Sequence, residues 1–191
     1  MTTLGTLFGL WVCYEGGIGI RNIIERHTYY KEAREYCDKV GKPMLRIGMR
    51  NSFWEPPDAD VTVDIAPEVK AIAGGVCADE RNLPFQDKEF GVCINQHTLE
   101  HLSSVEDAEQ AINESVRVAD IAVLLTPSPY SLFTNVFNPH HNLRLYFDRI
   151  NNTIRIEENR YNIKSIGSIG QAMLVTKSPR IYSRGIGIVI E

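Results

Sequence analysis

Residues 79–102 read Asp79-Glu80-Arg81-Asn82-Leu83-Pro84-Phe85-Gln86-Asp87-Lys88-Glu89-Phe90-Gly91-Val92-Cys93-Ile94-Asn95-Gln96-His97-Thr98-Leu99-Glu100-His101-Leu102. Within this stretch Gly91 to Asn95 is a short apolar run with charge before it and polar residues after it, the pattern of a buried strand. Ser103 or Ser104 can then cap a helix running to about Val118, with Glu106 and Asp107 in its first turn, where the helix dipole favours acids. Ile121 to Leu125 is a fully apolar strand stopped by Pro127 and Pro129. A strand, a helix and a second buried strand in this order make the crossover unit of a parallel sheet.

The same alternation extends outward. Met44 to Gly48 and Val61 to Ile65 read as strands, the second alternating and β-branched. Between them Pro56-Pro57 excludes a regular helix from Asn51 to Asp60, and Glu68 to Ala73 allows one or two helical turns before Gly74-Gly75. Residues 21–40 read as an amphipathic helix, with Ile23, Ile24, His27, Tyr30, Ala33 and Cys37 at three- and four-residue spacing and Gly41 and Pro43 closing it. Thr153 to Glu157, Ala172 to Lys177 and Gly185 to Ile190 are weaker strands. The expectation is an α/β fold with a mostly parallel sheet.

The chain has 191 residues, 43% hydrophobic and 23% charged, with a formal net charge of -4. That is enough for one domain with a real core, and too acidic for a generally basic nucleic-acid binder. The four cysteines, 13, 37, 77 and 93, form no CxxC pair, so a zinc ribbon is excluded and a reduced, cytoplasmic setting is expected. The charge is unevenly spread: residues 1–143 hold 12 Lys+Arg against 20 Asp+Glu, and residues 144–191 hold 8 against 4. A basic carboxyl-terminal edge of the same domain accounts for this.

Thr3 to Ile20 contains a single charged residue, Glu15, and Arg21, Arg26 and Lys31 follow it. Residues 1–20 are therefore read as a separate apolar segment before a domain at 21–191. The segment is expected to be buried or to dock on a protein partner, with a membrane anchor as the alternative.

Ligands of parallel sheets bind beyond the carboxyl ends of the strands. Gly48, Asp64, Asp79, Asn95 to His97 and Thr126 to Pro129 fall there. Gly48 lets a ligand approach the backbone. Asp64 is placed to accept both hydroxyls of a ribose, and Asp79, just before Leu83-Pro84-Phe85, suits an exocyclic amine beside an apolar wall. In order and at this spacing they favour an adenosine-type ligand.

Residues 76–102 resemble the class I S-adenosylmethionine-dependent methyltransferases, in particular the small type 11 group. That group shows an acidic residue, Leu-Pro-Phe, an acidic-Phe step into a strand, then Leu-Glu-His. The likeness extends more loosely from Met44 to Pro129. It implies a Rossmann-like methyltransferase sheet, mostly parallel with an antiparallel final strand and helices on both faces. It implies S-adenosylmethionine as cofactor, with Gly48 against its methionine part, Asp64 at the ribose, Asp79 and Glu80 flanking the adenine, and Ile47, Ile65, Asn95 and His97 also among the cofactor-binding residues. His97, His140 and His141 are the candidate catalytic residues, His97 as a proton acceptor near neutral pH.

The first loop departs from the family. Where an acid and a glycine are usual, Arg46-Ile47-Gly48-Met49-Arg50 carries two arginines, and Gly91 stands where the family prefers Asp. The cofactor is itself cationic, and a like charge near 4 Å costs about 4 kcal/mol at an effective dielectric of 20. His97-Thr98-Leu99-Glu100-His101 also matches the inverted zinc-protease pattern. The methyltransferase likeness accounts for the same residues at a strand end and helix start, so no metal is expected. The sequence thus points to a methyltransferase acting on a small-molecule or lipid-type acceptor. The alternative is a catalytically inactive methyltransferase-like module serving as a structural or membrane-docked partner. A weaker third reading is a nucleotide binder with Arg46 or Arg50 on phosphate.

Overall fold

The structure is a computed structural model, and it describes residues 2–50, 55–56, 59–127, 131, 136–138, 140–148, 153–159, 181–184 and 187–190. Helix α1 (Thr2–Val40) leads into β1 (Met44–Ile47), β2 (Val61–Asp64), a 3₁₀ turn at Pro67–Ala71, β3 (Gly75–Cys77) and β4 (Phe90–Gln96). A 3₁₀ turn at Leu99–His101, helix α2 (Val105–Val118) and β5 (Ala119–Leu125) follow. The chain ends in β6 (Leu143–Asp148), β7 (Thr153–Glu158), β8 (Ile181–Arg184) and β9 (Gly187–Ile190).

Seven strands form one sheet in the order β3-β2-β1-β4-β5-β9-β8. β1 to β5 pair in parallel, Ile47 facing Val63 on one side and Asn95 on the other. β9 runs antiparallel to both β5 and β8. The expected sheet, mostly parallel with a reversed final strand, is therefore present. The hairpin β6–β7 forms a second, two-stranded sheet.

Side-chain alternation along the strands sends successive residues to opposite faces. Val123 and Leu125 pack with Val92, Ile94 and Tyr29, Tyr30, Ala33 and Cys37 of α1. Ala122 and Leu124 pack with Ala108, Ala111 and Ile112 of α2 and with Leu143, Leu145, Ile154 and Ile156 of the hairpin. Helices thus lie on both faces, as expected. The Ser104 hydroxyl accepts the Asp107 N–H at 3.1 Å and caps α2, a bond worth about 1 kcal/mol.

Four features differ from the sequence expectation. α1 is one helix from Thr2, not one beginning near residue 21. A Cβ added at any of its glycines 5, 9, 16, 17 and 19 would meet nothing within 4 Å, so these residues are tolerated on an open surface. β3 is an edge strand of 3 residues hidden by Gly74-Gly75. β6 occupies what reads in the sequence as loop after Pro127, and β8 precedes the final strand. The Ala172–Lys177 strand lies outside the described residues. No described helix is long and apolar enough to cross a membrane.

Gly91 has a packing reason. A Cβ there would stand 2.9 Å from Cys37 Sγ and 3.3 Å from Cys37 Cα. The carboxyl-terminal end of α1 seats directly on β4, which leaves no room for the aspartate usual in the resembled family.

Candidate functional site

The carboxyl ends of the five parallel strands share one edge. From β1 the chain moves outward to β2 and β3, then returns to β4 on the other side. The switch point, where such sheets bind ligands, lies between β1 and β4.

Gly48 sits there with φ +94. Its N–H donates to the Val63 carbonyl at 2.9 Å. A Cβ would meet the Gln96 carbonyl oxygen at 2.5 Å and Thr98 Cγ2 at 2.9 Å. The end of β4 and Thr98 pack directly against the Cα of Gly48, and glycine is required for that contact.

Asp64 ends β2. Its Oδ2 accepts the Met49 N–H at 2.7 Å and its Oδ1 the Ala66 N–H at 2.9 Å. The carboxylate therefore fixes the turn after β1 as well as its own. Ile65 beside it is 71% exposed, an apolar side chain open at the rim. Ile47, by contrast, is buried in β1.

Asp79 is clamped by Arg81. The guanidinium donates through Nη2 to Oδ2 at 2.6 Å and through Nε to Oδ1 at 2.9 Å, and the Arg81 backbone N–H also reaches Oδ1. The Arg81 hydrogen bond, opposed by some burial, holds the Asp79 carboxyl below its ordinary range. Glu80 turns inward: its Oε2 accepts Asn95 Nδ2 at 2.7 Å and lies 2.7 Å from Thr98 Oγ1. Thr98 Oγ1 is also 2.6 Å from Asn95 Oδ1. Burial pushes the Glu80 carboxyl up against these two hydrogen bonds. The three side chains close a buried ring: Asn95 Nδ2 and Thr98 Oγ1 both face Glu80 Oε2, and Asn95 Oδ1 lies beside the same Thr98 hydroxyl. Sequence reading finds Asn95 and Glu80 but not the Thr98 that joins them.

Arg46 lies inside the protein, its side chain only 1% exposed. Nε donates to the Gly48 carbonyl at 2.6 Å, and Nη2 pairs with Glu55 Oε2. The guanidinium also lies 5.8 Å from the Tyr30 ring centroid. Gln96 Nε2 donates to the same Glu55 oxygen at 3.1 Å. The positive charge that looks adverse in the first loop has its counter-charge nine residues later. Arg50 is half-buried in the turn after β1.

His97, at the end of β4, has φ +54, a left-handed conformation that costs a non-glycine residue about 1–2 kcal/mol. Its N–H donates to the Leu125 carbonyl at 2.9 Å. Its Nδ1 lies 3.2 Å from Glu100 Oε1, while its buried Nε2 has no hydrogen-bond partner among the described residues. A proton on Nδ1, donated to the carboxylate, leaves Nε2 as the basic atom. Glu100 is 2% exposed. Burial works against its ionisation, but the His97 hydrogen bond and the His97 and His101 imidazoles outweigh it and hold the carboxyl below its ordinary range.

His140 and His141 follow in the loop before β6. His140 is exposed, and its carbonyl accepts from His101 Nδ1 at 2.9 Å. His141 is buried, with its ring 5.0 Å from that of His101. The candidate residues thus fall into two neighbouring groups. One is a rim of Gly48, Asp64, Ile65, Asp79, Glu80 and Asn95. The other is a cluster of His97, Glu100, His101 and His141, in which the inverted zinc-protease spacing picks out His97, Glu100 and His101 but not their partner His141.

A family profile described as a methyltransferase domain matches residues 57–121. This segment contains β2 to β4, α2 and the first residues of β5. A search of curated proteins returns no match. Among solved structures, the chain is similar to a SAM-dependent methyltransferase from Thermotoga maritima described as a possible histamine N-methyltransferase. The two share 13% identity over 94% of this chain and 97% of that one, with a TM-score of 0.34. The resemblance to the methyltransferases stands on residues 57–121.

Proposed function

We propose that this protein is a methyltransferase that binds S-adenosylmethionine along the rim from Gly48 to Asn95 and acts on a small-molecule or lipid-type acceptor. The observation that carries the reading is the joining of the strand ends: Asp64 to the Met49 N–H, and Glu80 to Asn95 and Thr98. These bonds gather the acidic groups into one preorganised, acidic edge, which suits a ligand bearing a sulfonium and an ammonium. The neutralisation of Arg46 by Glu55 removes the chief objection to a cationic ligand there.

When bound, S-adenosylmethionine supplies an electrophilic methyl group on sulfur. Asp64 would take the ribose hydroxyls with lone pairs not used by Met49 and Ala66, and Ile65 would offer its exposed side chain to the adenine. Asp79 and Glu80 would flank the exocyclic amine. His97, oriented by Glu100, would accept a proton from the acceptor at Nε2. The rest is alignment, since in-line transfer gains chiefly from proximity.

A second reading has its own support. Asp64 already spends both oxygens on backbone N–H groups, and Asp79 is held by Arg81. A site satisfied in this way suits an inactive module kept for its surface. The exposed Leu7, Phe8, Leu10 and Ile20 of α1 support docking on an apolar partner or on a cytoplasmic membrane surface.

Isothermal titration with S-adenosylmethionine separates the two. Micromolar binding by the intact chain, lost in Asp64→Ala, supports the enzyme. No heat at millimolar cofactor sinks it and leaves the inactive module.

A further inference from the structure

Glu100, His101 and His141 form a group that the cofactor rim does not use. One donor atom from each lies within 4.8 Å of the others. Glu100 and His101 come from the 3₁₀ turn after β4, and His141 comes from the loop that leads into β6. The three are brought together by the fold, not by sequence proximity.

The two loops are laced to each other. Asn142 N–H donates to the Glu100 carbonyl at 2.7 Å. The Asn142 side chain donates to the His101 and Leu102 carbonyls at 3.0 and 3.3 Å. The buried Asn159 amide donates to the His141 carbonyl at 2.9 Å. Backbone positions under all three side chains are therefore fixed before any ligand arrives.

The imidazoles are also oriented. His101 Nδ1 faces the His140 carbonyl at 2.9 Å, which requires its proton on Nδ1. Nε2 is left as a lone pair, 4.0 Å from Glu100 Oε1. This is the arrangement by which metal-binding histidines are commonly held, with the distal N–H on a carbonyl. The Asn138 amide has its Oδ1 occupied by the His140 N–H at 3.1 Å, so its Nδ2 faces His141 Nε2 at 2.9 Å. That nitrogen is consequently an acceptor, and an ion bound there takes the place of the Asn138 N–H.

A second observation points to a ligand. Glu100 Oε2 is buried and has no hydrogen-bond partner among the described residues, in a side chain that is 2% exposed. Leaving a buried carboxylate oxygen unpaired is costly, and a cation at the cluster would offset that cost.

We propose that Glu100, His101 and His141 bind a divalent transition-metal ion where the turn after β4 meets the loop before β6. Two imidazoles and one carboxylate suit zinc, iron(II), cobalt(II) or manganese(II) better than magnesium or calcium, which favour all-oxygen sets. Ligand atoms about 2.0–2.2 Å from one ion stand about 3.0–3.5 Å apart. Closing from the observed spacing needs side-chain rotations of His101 and His141, not movement of their laced backbone. Three protein ligands leave at least one position open, for water or for a hydroxyl or amine donor of a bound small molecule. The inverted zinc-protease pattern pairs His97 with His101, whereas this ligand set pairs His101 with His141, and His97 stays a hydrogen-bonding neighbour of Glu100 Oε1.

The test uses the full chain stripped with a chelator, titrated with zinc and with cobalt(II) in the absence of any cofactor, so that its outcome is independent of the methyltransferase reading. The expected result is a single equivalent of zinc at micromolar or tighter affinity and a visible cobalt absorption of low-symmetry coordination. Zinc should also raise the melting temperature. His101 is half-exposed, so His101→Ala is expected to fold like the parent without metal, to lose affinity by well over tenfold and to lose the zinc-induced shift. His141→Ala should lose it as well. Binding no tighter than millimolar, binding unchanged in His101→Ala, or a thiolate-to-cobalt charge-transfer band placing the ion on a cysteine would each overturn the proposal.

Discussion

Replacing Glu55 with glutamine removes the charge that neutralises Arg46 and keeps the side chain's size. The pair is buried, with Arg46 1% and Glu55 12% exposed. A second arginine is involved: Arg26 is pushed below its ordinary range, first by burial, with the Arg46 charge adding to the shift and the Glu55 carboxylate opposing it. After the substitution two guanidiniums share an interior without their carboxylate. Removing one partner of a buried ion pair costs about 3–5 kcal/mol, whereas replacing both by apolar groups of similar volume is often neutral. Glutamine retains an acceptor for Arg46 Nη2, which places the expected loss near the lower end, about 3 kcal/mol. For a chain of this length each kcal/mol moves the melting temperature by about 2–4 °C, so a fall of about 6–12 °C is expected. Circular dichroism melts of Glu55→Gln, Arg46→Met and the double variant Arg46→Met/Glu55→Leu measure it. The double variant is expected to melt well above Glu55→Gln. A Glu55→Gln melt within a degree or two of the parent would refute the reasoning, as would a double variant no more stable than the single one.

Gly91→Ala should destabilise by about 1–3 kcal/mol through overpacking, because its Cβ would stand 2.9 Å from Cys37 Sγ. Urea unfolding should show part of this loss relieved in a Cys37→Ala background, and equal losses in both backgrounds would contradict the packing account. Glu80→Gln tests the buried ring with Asn95 and Thr98. Because burial raises the Glu80 carboxyl above its ordinary 4.5, the native state holds that proton more tightly than the unfolded chain. The group's contribution is fully present below about 4.5 and is lost as pH rises through the raised value. Glu80→Gln should therefore gain stability relative to the parent as pH increases, and parallel stability profiles from pH 5 to 8 would count against the assignment.

The sheet is legible in the sequence where burial is continuous. Val92 to Ile94 and Ala122 to Leu125 are buried on both faces and read as unbroken apolar runs, and β1 reads the same way but for the buried Arg46. Ser104 and Asp107 announce the start of α2 because capping is a local event. β3 is not legible, since its 3 residues open on the second of two glycines and carry no periodicity. β6 escapes the sequence reading although Leu143 and Leu145 alternate, because what makes it a strand is its pairing with β7.

At the site the same division holds. Asp64, Asp79 and Asn95 can be placed from their position after strands. Whether Arg46 faces a ligand cannot, because its neutraliser Glu55 stands in the stretch between β1 and β2, which carries no periodicity. Gly91 looks like a family departure until Cys37, from an element 54 positions earlier, is seen against it. The Glu100–His101–His141 cluster depends on a loop about 40 residues downstream, joined through His140 and Asn142. No spacing rule reaches that far.

The central claim is that the edge from Gly48 to Asn95 holds an adenosine-bearing cofactor. Amide resonances of the ¹⁵N-labelled chain, followed during titration with S-adenosylmethionine, test it most directly. The account predicts saturable shifts at Met49 and Ala66, whose N–H groups bond to Asp64, and at Arg81 and His97. Shifts confined to α1 or to the β6–β7 hairpin, or none at millimolar cofactor, would contradict it.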